Sequence, residues 1–417
     1  MSASARPPLQ SLDEALAQLL AAVRPLGRVE AVPTQAALGR VLAADVVSGL
    51  AVPPADNSAM DGYAIRIADL GGADPVLPVS QRVPAGVVGT ELQPGTAARI
   101  FTGAQMPAGA DAVVMQEQCE ALPDASGQGL GSVRIKAEVH LGQNIRRRGE
   151  DVQQGAVVLS TGTRMTATAM GLAASVGAAT LQVARPVRVA LFSTGDELAM
   201  PGEPLRPGAI YNSNRFTLRG LLQGLGCEIV DLGLVPDRLE ATRAALREAA
   251  ASADLILTSG GVSVGEEDHL RPAVQLEGEL KQWQLAIKPG KPFAFGSVRR
   301  ESGSAAWFMG LPGNPVASLV TFVLLVRPAI LKMLGAAAQA PRSYVLRADF
   351  DWPRADRRRE FLRARVNEAG GLELFANQGS GVLTSTVWGD GLVDVPPSQP
   401  IAAGQLVRFL PFSELMS

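Results

Sequence analysis

Residues that build metal sites and disulfide scaffolds are scarce here: 417 residues include two cysteines and two histidines. Cys119 and Cys227 sit in separate segments, so a disulfide framework is excluded and the cytoplasm is the expected compartment. With only His140 and His269 beside them, a Cys/His zinc site lacks ligands. Long hydrophobic runs are missing too. The most apolar stretch, Val316–Val326, ends at Arg327-Pro328 and falls short of the ~18 residues of a spanning helix. It reads as a buried helix, and no membrane partner is expected. Met1–Gln10 has no apolar centre, so no signal peptide is expected. Charge of one sign is not in excess: the net charge is −2, which gives no footprint for nucleic acid.

What is abundant is hydrophobic side chains, at 47%, with 44 glycines and 29 prolines. That mixture favours short strands and tight turns over coiled coil or disorder. The length suggests roughly three domains.

Ser11 and Glu14 form a capping box ahead of an apolar stripe at Leu12, Ala15, Leu16, Leu19 and Leu20, which predicts an amphipathic helix. A short helix is expected over Thr34–Leu42. Between Asp45 and Gly149, short β-rich runs alternate with Gly/Pro turns, and the Gly/Ser/Asp loop Ala121–Gly131 reads as a hairpin tip. Helical texture returns over Thr166–Val176. After Arg185-Pro186, strands at Val187–Ser193, Cys227–Val235 and Asp254–Thr258 alternate with helices after Asn214 and after Asp237, the latter capped by Asp237 with Glu240. That order implies a doubly wound parallel sheet, covered on one face by Pro315–Leu334. Beyond the linker Gly335–Pro341 only short strands follow, as in a small β-barrel or sandwich. The expected organisation is an N-terminal domain of residues 1–44 plus 150–185, interrupted by a β-rich insert of 45–149. An α/β domain of 186–336 and a C-terminal β domain of 337–417 complete it.

Open parallel sheets bind ligands beyond the carboxyl ends of their strands. Two segments fall there: Thr194-Gly-Asp-Glu197, and Ser259-Gly-Gly-Val-Ser263-Val-Gly265-Glu-Glu-Asp268. Glycines in the second would let backbone N–H groups approach an anion, although neither the Walker A nor the GxGxxG spacing is met, and a plain turn explains them equally. Asp196, Glu197, Glu266, Glu267 and Asp268 supply the hard oxygens that Mg²⁺ takes beside substrate phosphates; individually, each also reads as a solvated acid or helix cap. Lys288-Pro-Gly-Lys291-Pro presents two stiffly spaced cations suited to phosphate, or a surface turn. Leu311-Pro-Gly-Asn-Pro315 starts a helix with proline at its first position. Asp56-Asn-Ser-Ala-Met-Asp61-Gly-Tyr63 is a polar loop or an Asx turn. Arg146-Arg-Arg-Gly-Glu-Asp151 gathers both signs of charge. Alternation puts Arg359, Phe361 and Arg363 on one strand face, where arginine near Gln378-Gly-Ser380 would hold an oxyanion or form a charged edge.

In this order, Asp56-Asn-Ser-Ala-Met-Asp-Gly-Tyr-Ala64, Thr102-Gly-Ala104, Arg148-Gly-Glu-Asp151, Ser193-Thr-Gly-Asp-Glu-Leu198, Ser259–Gly265, Lys288-Pro-Gly-Lys-Pro-Phe293 and Leu311-Pro-Gly-Asn-Pro-Val316 resemble the motifs of the MoeA family, to which the gephyrin E domain belongs. The resemblance spans essentially the whole chain. It implies a pterin-binding α/β domain and an elongated homodimer whose active site lies between that domain and the partner's N-terminal region. The implied reaction takes adenylated molybdopterin and molybdate, with Mg²⁺ as cofactor, to molybdenum cofactor and AMP. By position, Asp61, Asp151, Glu197 and Asp268 are implied as catalytic, with Glu197 and Asp268 on the metal. Thr102, Gly260, Gly261, Ser263, Gly265, Lys288, Lys291, Pro312, Pro315, Arg363 and Ser380 are implied to bind substrate. The family commonly has serine after Asn-Pro-Val, where this chain has Ala317 and then Ser318. Two other readings are an adenylyltransferase acting on molybdopterin and a non-enzymatic, gephyrin-like scaffold.

Overall fold

A computed structural model describes residues 9–72, 74–261 and 269–416. Its centre is a six-stranded sheet in the order Glu228–Val235, Arg188–Thr194, Leu255–Ser259, Ala305–Leu311, Pro292–Arg299, Gly278–Gln284. The first four strands are parallel: three as expected, joined by Ala305–Leu311, which was not among the expected strands. The last two run antiparallel. Their connections are too short for the crossover that parallel pairing needs, so a doubly wound sheet gains an antiparallel edge.

Both faces are covered. Leu239–Ser252 and Leu270–Glu277 pack on one through Leu246, Ala249, Leu270 and Val274. Ser213–Gly224 and the long helix Pro315–Met333 pack on the other through Leu218, Leu222, Val320 and Val323. The long helix is the one described helix apolar and long enough to cross a bilayer, yet 94% of its apolar window is buried in the fold. A π turn at Phe322–Val326 interrupts it. The helix Leu239–Ser252 starts from Arg238, which caps it with no side-chain hydrogen bond; the expected Asp237–Glu240 box is not formed.

The first helix, Leu12–Ala22, has the expected capping box. It departs from expectation in its partner. Leu12, Ala15 and Leu19 are buried with Val187, Ile330 and Leu334 in the α/β core, not in the interrupted domain. Periodicity defines an apolar face but not what covers it.

Val29–Pro33 pairs with Thr180–Ala184, and Val46–Val47 with Val157–Leu159. The polypeptide therefore leaves and re-enters one small domain, whose core includes Leu42, Met165, Ala173 and Val183. The helix expected over Thr34–Leu42 is a single 3₁₀ turn, Thr34–Ala36, because the chain turns at Gly39, where φ is +76°. The insert is a six-stranded sheet, with the hairpin Cys119–Leu122/Ser132–Ile135 where the tip was predicted. At the C-terminus, Arg359–Val366, Gly391–Val395, Leu406–Pro411 and Tyr344–Arg347 pair in sequence. Leu372–Leu374 pairs with Arg359–Val366 and bridges back to Ala348, closing a small barrel. Ile287–Lys288, from the α/β part, adds to Arg359–Glu360 and fixes the barrel against that domain.

Candidate functional site

The strands Arg188–Thr194, Leu255–Ser259 and Ala305–Leu311 end side by side, and a cavity of about 1000 Å³ opens beyond them, walled on its far side by the C-terminal domain. Glu197, Gly260, Lys288, Lys291, Pro312, Pro315 and Ser380 all line it.

Each is placed by local chemistry. Gly195, with φ +139°, lets the Glu197 carboxylate fold back to 2.6 Å from where a Cβ at residue 195 would stand. Gly260 has φ +89°, and a Cβ there would come within 3.2 Å of the Thr194 carbonyl. Its N–H donates to the Leu311 carbonyl at 3.0 Å. This corrects the expectation that the Gly260 amide cradles an anion: its role is to let three strand ends meet. Gly261 lies outside the main cavity, beside a small hollow lined by Leu270 and Phe308. Ser263, Gly265 and Asp268, with Glu266 and Glu267, lie outside the described residues.

In the Lys-Pro-Gly-Lys-Pro loop, Lys288 Nζ donates to Glu360 Oε1 at 2.9 Å, whereas Lys291 is exposed and pairs with no carboxylate among the described residues. Asn214 Nδ2 donates to the Gly313 carbonyl at 2.7 Å and steadies the loop that carries Pro312 and Pro315. The N–H of Val316, in the first turn of the long helix, donates to the Ser380 carbonyl at 3.0 Å, docking the C-terminal loop on the cavity. Ala317 lines the cavity. Ser318 is buried, its hydroxyl has no partner among the described residues, and it is not part of the lining, so it does not take over a cavity-facing hydroxyl.

Arg363 departs from its expected role in direct anion contact. It is fully buried, and its guanidinium donates to Ser385 Oγ, the Phe361 carbonyl and the Gly379 carbonyl at 3.0–3.3 Å. Burial pushes its pKa down to about 10. It sits behind Ser380 and braces the loop. Alternation had set Arg359, Phe361 and Arg363 on one face correctly, but Phe361 and Arg363 on that face are fully buried.

Asp61, Thr102 and Asp151 form part of a second group. Asp61 Oδ1 accepts from Thr102 N–H at 2.7 Å and from Thr102 Oγ1 at 2.8 Å. Gly62 must follow it, because a Cβ there would stand 1.9 Å from the Val114 carbonyl. Asn57–Ser58 pairs with Ile145–Arg146, Asp56 accepts from Arg147 Nη1 and Arg148 N–H, and Asp151 N–H donates to the Val52 carbonyl at 3.0 Å. Distant segments thus converge at the base of the insert. None of the three lines the cavity.

Among the described residues, no three His, Cys, Asp or Glu side chains gather as a metal site. Glu197 is the one acid among the described residues of the cavity lining. A single carboxylate fits Mg²⁺, which takes one or two of them and fills its octahedron with water and substrate phosphate.

Sequence reasoning missed Tyr211, Asn212, Asn214 and Arg358, which also line the cavity. Asn212 caps the helix Ser213–Gly224, and an asparagine cap after a strand end was the available signal. Arg358 and Glu360 carried none.

A cleft at the carboxyl ends of a doubly wound sheet, with cations on one wall and an acid on another, defines a protein that binds an anionic small molecule in its α/β domain. Comparison with known proteins names the family. Residues 10–177 match the MoeA N-terminal region (domain I and II), residues 190–332 the "Probable molybdopterin binding domain", and residues 345–412 the MoeA C-terminal region (domain IV). The chain is 40% identical over 413 residues to the molybdopterin molybdenumtransferase of Haemophilus influenzae, covering 97% of this chain and 99% of the relative. It is 38% identical over 411 residues to molybdopterin molybdenumtransferase 2 of Mycobacterium tuberculosis, covering 95% and 97%. A crystal structure of the molybdopterin biosynthesis MoeA protein of Pyrococcus horikoshii superposes with a TM-score of 0.81 at 30% identity, covering 97% of this chain and 100% of that one. The chain belongs to the MoeA family of molybdopterin molybdenumtransferases.

Proposed function

We propose that this chain inserts molybdate into adenylated molybdopterin with release of AMP, working in the cytoplasm as a homodimer. One observation carries the reading. The interdomain cavity joins Glu197, Lys288, Lys291, the rigid Pro312–Pro315 loop and Ser380 in a space of small-molecule size. Relatives named for this reaction match this chain nearly end to end.

Lys291 and Lys288 hold phosphate and oxyanion charge on the barrel side. Glu197, with Asp268, would hold Mg²⁺, which when bound neutralises charge on the phosphoanhydride. Ser380, with Arg363 bracing its loop, lies where molybdate would be delivered. A water oxygen, oriented by these groups, attacks the adenylate phosphorus; the phosphoanhydride bond breaks, AMP departs with that oxygen and the pterin keeps its own phosphate, while molybdate releases one oxygen as water with the two thiol protons and bonds the two dithiolene sulfurs. Positioning supplies much of the rate. Asp61, Thr102 and Asp151 complete the site from the partner subunit.

The test is AMP release from adenylated molybdopterin with and without molybdate. Molybdate-dependent release, reduced by about a hundredfold or more in Glu197→Ala, is expected. Release indifferent to molybdate, or wild-type rates in Glu197→Ala, would overturn the reading.

A further inference from the structure

We propose that Glu360 is a positioning residue for this reaction: from across the domain boundary it anchors the Lys288 ammonium at the cavity wall. The inference rests on the proposed function.

Lys288 and Glu360 face each other in the parallel pair that ties the α/β domain to the barrel. Glu360 is 1% exposed. One of its oxygens accepts from Lys288 Nζ at 2.9 Å. The other accepts from Trp352 Nε1 and from the Asp356 N–H, each at 2.9 Å. A carboxylate held by three donors cannot swing, and a buried carboxylate requires a cation beside it. Asp356 is the lesser partner of the ammonium, 3.8 Å away, and is already engaged by the Arg358 guanidinium through both oxygens.

The two lysines of the loop are therefore unequal. Lys291 is free to follow a ligand, while Lys288 stands at a fixed point before any ligand arrives. A charge preset in this way needs no reorganisation when the anion binds. Because its anchor lies in the other domain, the placement of Lys288 reports how the barrel docks on the α/β unit.

The experiment is a double-mutant cycle on Glu360→Gln and Lys288→Met, read as the KM for molybdate in AMP release and as molybdate affinity by calorimetry. Glutamine keeps an acceptor for Trp352 and the Asp356 N–H but loses the charge. Glu360→Gln is expected to raise KM about tenfold and to change it less than about twofold once Lys288 is methionine. An additive cycle, or an unchanged or lowered KM, overturns the inference. Lys288→Met strands a buried charge, so a second comparison does without it. Glu360→Asp keeps the charge but withdraws it by one methylene, and its KM should fall between wild type and Glu360→Gln. If glutamine, which preserves shape, outperforms aspartate, the role is structural and the inference fails. Wild-type AMP release indifferent to molybdate sinks the proposed function itself; molybdate-dependent release with an additive cycle sinks only the role of Glu360.

Discussion

Asp61 and Thr102, 41 residues apart, are joined by two hydrogen bonds to a single carboxylate oxygen, from the Thr102 N–H at 2.7 Å and its hydroxyl at 2.8 Å. The backbone donor first, then the hydroxyl, hold the Asp61 carboxyl below its ordinary value. A depressed carboxylate contributes stability above the unfolded value and loses it as pH falls through the folded one. The group is only partly buried, so its own titration is the better readout. In an NMR titration, Asp61 should titrate below the ordinary aspartate value in wild type. Thr102→Val should move the midpoint upward while the remaining N–H bond keeps it depressed. An unmoved midpoint would show that the hydroxyl contributes nothing.

Gly290 is the hinge of the basic loop. Its φ is +114°, and a Cβ would stand 2.6 Å from Thr321 Oγ1 and 3.4 Å from the Ala317 carbonyl. Gly290→Ala should therefore destabilise by about 1–3 kcal/mol, from backbone strain and overpacking together. It should also raise the KM for molybdate, because Lys288 and Lys291 ride on the same turn. Thermal unfolding and AMP-release kinetics check both, and an unchanged melting temperature would refute the contact.

These cases show where the sequence was legible. The buried strands of the α/β sheet announce themselves as apolar runs between turns, and the cavity-lining motifs follow because a parallel sheet gathers its strand ends. The helix Leu12–Ala22 displayed its stripe but not its partner. The antiparallel edge depended on connection lengths that periodicity does not weigh. Glu360 is separated from Lys288 by 72 residues, and nothing local marks a carboxylate whose meaning is a lysine in another domain. Arg363 was visible as one member of an alternating face, but whether that face meets a ligand or a core is decided by the fold around it.

The two thiols provide a pH test away from the site. Burial pushes Cys119 up to about 11 and Cys227 up to about 12. A group raised above its unfolded value of 9.0 contributes stability in full below that pH. The contribution is lost as pH rises from the unfolded toward the folded value. Both thiols are only partly buried, and with their pKa values raised they should react with a disulfide reagent at pH 8 far more slowly in the native protein than after denaturation. The denaturation midpoint should fall between pH 8 and pH 10, less steeply in Cys227→Ala. Rapid native labelling at pH 8 would contradict the burial.

The separation of Asp61, Thr102 and Asp151 from the cavity that holds Glu197 and Lys291 makes the most demanding prediction. If each site draws one group from each subunit, Asp61→Ala and Glu197→Ala damage opposite halves of it. Either variant alone should lose about a hundredfold or more in AMP release. Co-expressed at equal levels, half of the dimers should be mixed, and each mixed dimer would carry one site with both lesions and one with neither. Activity should then return to about a quarter of wild type. A site completed within a single chain gives no such recovery, since every subunit would carry one lesion whatever its partner. Recovery with the pair Asp61→Ala and Glu197→Ala, and none with Asp61→Ala and Asp151→Ala, would place the two acids on the same side of the subunit boundary. No recovery in the first pair, from protein shown to be dimeric, would mean that one chain completes the site by itself or that Asp61 acts somewhere other than this cavity.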